Sequence, residues 1–152
     1  MFALQLSAAD FGETAVCLGP QVAAVLETLR ALPELAGCAW YGAWIDPMGA
    51  AEEVISALRR YETSDEVLIE DIQNFIALSR EVTQLLAGVV FAVPAGQEPH
   101  ISDGVDSALG LFALNGVVEM RAEDTTFIEV VTASQSIVDG VLSRFGGKLV
   151  VG

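Results

Sequence analysis

Leu109-Gly-Leu-Phe-Ala-Leu-Asn-Gly-Val-Val-Glu-Met-Arg-Ala-Glu-Asp-Thr-Thr-Phe-Ile-Glu-Val-Val-Thr132 is a succession of β-prone runs parted by turn residues. Asn115-Gly116 separates residues 109–114 from residues 117–122. Asn-Gly between two such runs is the favoured type I′ hairpin turn, because both turn residues need positive φ. Glu123-Asp124-Thr125 makes a second turn, and residues 126–132 form the next strand. Thr132 and Gln135 have the spacing of a capping box. Beyond them Ile137, Val138, Val141, Leu142 and Phe145 make the apolar stripe of a helix, which Gly146-Gly147 ends. Strands that follow one another and then give way to a helix predict an α+β domain with a C-terminal β-meander, not a doubly wound parallel sheet.

The remainder of the chain fits that class. Phe2-Ala-Leu-Gln-Leu-Ser7 alternates as a strand does. Residues 12–19 read as a loop, after which Pro20 sits where a helix can begin, its missing N–H being unpaired there in any case. Val22, Val25, Leu26 and Leu29 give that helix its apolar stripe, and Pro33 stops it. Cys38-Ala-Trp-Tyr-Gly-Ala-Trp-Ile45 reads as a buried strand ending at Asp46-Pro47. Residues 50–60 form a short helix with Val54, Ile55 and Leu58 turned inward. Val67-Leu-Ile69 is either a short strand or the first turn of the next helix. The stripe Ile72, Phe75, Ile76, Val82, Leu85 and Leu86 carries that helix to Gly88. Val89-Val-Phe-Ala-Val93 is a central strand ended by Pro94, residues 95–107 are a polar loop, and residues 148–151 add an edge strand. The expectation is one domain over residues 1–152: an antiparallel or mixed sheet of about five to six strands with helices on one face.

Composition narrows the function classes. At 152 residues with 53% apolar content, the chain suits a single domain with a continuous core. Seven Lys and Arg stand against twenty-one Asp and Glu, a net charge of −14. That field repels nucleic acid and anionic membrane and attracts basic proteins; its plainer effect is solubility. No apolar run reaches the ~20 residues of a membrane helix. The N-terminal residues carry no basic leader, so the expected location is the cytoplasm. Cys17 and Cys38 match neither a zinc site nor a redox pair and read as structural thiols.

Residues able to carry chemistry are few. His100 is the lone histidine, and Ser102 lies too close to it in sequence for triad geometry. His100, Asp103 and Asp106 hold donors suited to a divalent ion, but the loop pattern favours solvated acids. Glu119 and Glu129 fall on neighbouring strands, with Arg121 on the face of Glu119. Paired carboxylates can divide acid and base roles, although a solvated sheet face with cross-strand ion pairs is the simpler reading. Alternation places Trp40 and Trp44 on one face and Tyr41 on the other, and core packing suits them better than a ligand cage. The expectation is therefore no catalytic residue, no metal and no cofactor. Glu62, Asp65, Glu66, Glu70 and Asp71 form one exposed acidic stretch, and Glu98, Asp103 and Asp106 another. From Glu81 to Met120 there is no Lys or Arg. These eight carboxylates are the expected partner-binding residues.

A small acidic domain with Gly88-Val-Val-Phe-Ala-Val-Pro94, then Val118-Glu-Met-Arg-Ala-Glu-Asp-Thr-Thr-Phe-Ile-Glu-Val-Val-Thr132 running into a helix, resembles the immunity proteins of bacterial polymorphic toxin systems. The resemblance implies a non-enzymatic inhibitor that binds a cognate toxin, often one acting on a polyanion. Two other classes stay open at this point. One is a small enzyme using Glu119 and Glu129, with or without His100. The other is an oligomerising adapter, its oligomeric state left open.

Overall fold

A computed structural model describes residues 1–102, 111–123 and 126–151. The elements in order are β1 (Phe2–Leu6), α1 (Gly19–Arg30), β2 (Ala39–Met48), α2 (Glu52–Arg59), β3 (Val67–Ile69), α3 (Ile72–Glu81), β4 (Gln84–Val93), β5 (Val118–Glu123), β6 (Phe127–Thr132), α4 (Gln135–Phe145) and β7 (Lys148–Val151). The strands form one sheet in the order β3-β2-β4-β5-β6-β1-β7, and every neighbouring pair is antiparallel. The fold is α+β, and β4, β5 and β6 are the expected meander leading into α4. Seven strands exceed the expected five or six because Val67-Leu-Ile69 and residues 148–151 both pair, one at each edge.

The period of two sorts the sheet into two faces. Leu4 and Leu6 of β1, Val118 and Met120 of β5, and Ile128 and Val130 of β6 pack with Val22, Leu26 and Leu29 of α1, Phe75 and Ile76 of α3, and Ile137 and Val141 of α4. Burying each such side chain fully stabilises the fold by about 1.5–3 kcal/mol before entropy is counted. Among the described residues, the buried clusters of the opposite face hold no helix residue. Ala3 and Val131 pack there against Leu111, and Phe91 and Val93 against Ala113, with Ile101 and Phe112 alongside.

Four local expectations fail, each for a physical reason. Neither Asn115 nor Gly116 has positive φ, so no type I′ hairpin forms there. Instead the Gly116 N–H bonds to Ala113 O at 2.9 Å. The Asn115 side chain ties back to the preceding segment: Nδ2 donates to Glu98 O at 2.9 Å and Oδ1 accepts from His100 N at 2.9 Å. Ala113 makes only a single bridge, to Ile101, while β5 takes β4 and β6 as neighbours. The helix expected to reach Gly88 ends at Glu81. Val82 is extended, and residues 84–93 gain two ladders as β4, which outweigh the helical spacing of Leu85 and Leu86. The strand expected to stop at Asp46-Pro47 runs through both to Met48, with register breaks at 43–46 and 46–47. The α4 cap is Ser134, whose hydroxyl accepts from Ile137 N. Thr132 instead donates its hydroxyl to Val117 O at 2.8 Å. Ser134→Ala should cost about 1 kcal/mol in a urea titration. Thr132→Ala should leave the helix cap intact.

No helix among the described residues is long and apolar enough to cross a membrane. Cys17 and Cys38 form no disulfide, and the Cys17 thiol reaches Phe127 O at 3.4 Å.

Candidate functional site

The acidic stretch 62–71 surrounds the edge strand β3. Glu62, Asp65 and Glu70 are exposed, Glu66 is half-buried and Asp71 is exposed. Two of the five have local duties. Asp71 caps α3, its side chain accepting from Asn74 N at 3.2 Å. Glu62 lies 3.8 Å from Arg59 Nε at the end of α2. The stretch therefore has a cation beside it. An exposed pair at that spacing contributes little, because water screens it. Arg60 turns instead over the Tyr61 ring, 5.5 Å from its centroid.

Glu98 of the second acidic segment and Glu66 of the first both act electrostatically on Tyr41. Tyr41 of β2 stacks on Phe91 with ring centroids 5.5 Å apart. Its phenol is pushed above the ordinary value by burial first, then by the negative charges of Glu98 and Glu66. Both carboxylates thus act on one hydroxyl although 32 residues separate them (98 − 66). An open groove of about 320 Å3 lies at this edge of the sheet, walled in part by Cys38, Trp40, Leu68 and Glu70. Asp103 and Asp106, the remaining expected contact residues, lie outside the described residues.

Glu119, Arg121 and Glu129 come together, but not on a solvated face. All three are buried, at 1%, 5% and 3% exposure. The antiparallel register sets Arg121 directly opposite Glu129. Arg121 Nε donates to Glu119 Oε2, and Arg121 Nη1 lies 3.4 Å from Glu129 Oε1. Glu119 Oε1 accepts the Phe112 N–H at 2.6 Å, and Glu129 Oε2 accepts from Gln5 Nε2 at 3.3 Å. Burial raises the Glu119 pKa despite the lowering effect of Arg121. The expected cross-strand ion pair forms, between Arg121 and Glu129, but the face is not solvated, because residues around 101 and 111–113 lie over this part of the sheet.

The remaining candidates resolve plainly. The Ser102 hydroxyl donates to Leu111 O at 3.1 Å, and His100 is exposed. Among the described residues no group of three His, Cys, Asp or Glu is placed to hold a metal. Trp40 and Trp44 do not share an environment: Trp40 is buried at 4%, whereas Trp44 is 51% exposed. The bulge after Ala43 breaks the alternation that would have paired them. Trp44 is the surface residue that sequence reasoning missed, since nothing in Gly42-Ala-Trp-Ile45 announces a bulge. No family model, curated protein or solved structure matches the chain.

Proposed function

We propose that this chain is a non-enzymatic acidic binding protein that acts as an immunity protein, inhibiting a cognate toxin with a basic surface in the cytoplasm. The observation that carries the reading is the run of exposed carboxylates at Glu62, Asp65 and Glu70 around the edge strand β3, with Glu66 and Glu98 both acting electrostatically on Tyr41 nearby. Only one of the five carboxylates of the 62–71 stretch has an ion pair among the described residues. Such a surface attracts a cationic protein over several ångströms and accelerates encounter. The carboxylates of Glu119 and Glu129 support catalysis less well, since Arg121, Gln5 and the Phe112 N–H already occupy them.

The test is co-expression with the toxin domain encoded beside the chain's gene. A stable complex and rescued growth are expected. Replacing Glu62, Asp65, Glu66 and Glu70 together by Lys should slow association by on the order of 10–10³-fold at low salt, with the effect shrinking as salt rises. Association unchanged by all four reversals would remove this surface from the account. A gene neighbourhood with no toxin domain would count against the immunity role itself.

A further inference from the structure

We infer that Trp44 anchors the partner by receiving an arginine side chain on its exposed indole; this rests on the proposed basic partner. Trp44 has φ 58°, in the left-handed region. A bulky L-residue adopts that conformation only at a cost in strain, and such strain persists where the surrounding structure imposes it. Here two backbone bonds impose it. The Trp44 N–H donates to Thr63 O at 2.9 Å and the Ile45 N–H to Tyr61 O at 3.0 Å. The bulge returns Ile45 to the core at 1% exposure while half the indole stays in water. Tryptophan is the side chain for which exposure forgoes most burial, so a strained, exposed one presents apolar surface to something else. Leu68 of the edge strand β3 and Met48 at the end of β2 are exposed too, each at 44%.

Charge complementarity names the occupant. The Thr63 carbonyl that holds Trp44 follows Glu62, and the Thr63 hydroxyl bonds to Asp65 O at 2.9 Å. Asp46, two residues beyond Trp44, is exposed as well. With Glu62, Asp65 and Asp46 this near Trp44 along the two paired segments, an exposed indole suits a guanidinium, which stacks flat on the ring and has N–H groups left over for a carboxylate. A neutral apolar anchor would leave those carboxylates to be desolvated without compensation.

The experiment titrates an oligo-arginine peptide into the full chain at low salt, by calorimetry and by tryptophan emission. Binding should change the emission, and the change should vanish in Trp44→Phe, which leaves Trp40 as the one tryptophan. Trp44→Phe should keep most of the affinity, whereas Trp44→Leu, apolar but without a π face, should lose about tenfold. Wild-type binding with no emission change, or a Leu variant that binds as the wild type does, overturns the anchor while leaving the basic-partner reading standing. If the wild type does not bind the peptide at all, both fall. The emission readout keeps the test decisive should the Leu variant fail to fold.

Discussion

Arg121→Met is expected to destabilise the fold by about 3–5 kcal/mol at neutral pH, the loss typical of removing one partner from a buried ion pair. Two carboxylates, 1% and 3% exposed, would then face each other across β5 and β6 with no guanidinium between them. The deficit should depend on pH with a definite sign. Burial already raises the Glu119 pKa above the ordinary 4.5. The folded state therefore holds this proton more tightly than the unfolded chain does. The associated stability is fully present below about pH 4.5 and is lost as pH rises through the folded-state value. Removing Arg121 takes away the main charge opposing that rise, so the variant should lose more stability across this range than the wild type. Urea midpoints between about pH 4.5 and pH 7 check it. A deficit under about 1 kcal/mol, or one indifferent to pH, would show that the charges are solvated after all. Replacing all three residues together by apolar side chains of similar volume should cost less than Arg121→Met, since no charge is then left without its counterpart and the remaining loss is that of the Phe112 N–H and the Gln5 amide, which give up their acceptors.

The same cluster shows where sequence reasoning reached its limit. Glu119, Arg121 and Glu129 were placed correctly on neighbouring strands and on one face, because a period of two and a short turn leave little choice. Their burial was not legible. It depends on Phe112, whose N–H bonds to Glu119, and on a segment tied down by Asn115, which the Asn-Gly signal assigned to a hairpin instead. Long amphipathic elements with clear terminators, α1 and α4, were legible to within two or three residues at their ends, the α4 cap falling on Ser134 where Thr132 was expected. The boundary between α3 and β4 was not, because Leu85 and Leu86 fit either period and only the ladders to β2 and β5 decide. The acidic surface was legible as composition. That Glu66 and Glu98 both act on Tyr41, while Asp71 is occupied capping α3, required the fold.

Gly19→Ala is expected to destabilise by about 3 kcal/mol or more, beyond the usual range for one added methylene. Gly19 is the first residue of α1, buried against the end of α3, with its N–H bonded to Thr83 O at 3.2 Å. A Cβ there would overlap the carbonyl oxygens of Ser79 and Val82. Both are backbone atoms, so no side-chain rotation relieves the clash and α1 must move away from α3. That movement would loosen Val22 and Leu26, which are fully buried. Helix propensity works the other way, favouring Ala by about 1 kcal/mol, and is too small to compensate. Gly140→Ala supplies the contrast. It too lies in a helix, but its Cβ would meet only the flexible end of Leu32, 2.8 Å from Cδ2. Leu32 is half-buried and able to turn aside, so the propensity gain should offset the crowding and leave stability within about 1 kcal/mol of the wild type. Thermal midpoints of the two variants, measured side by side, distinguish backbone crowding from a general intolerance of added volume. Equal losses at both sites would contradict the close α1–α3 approach.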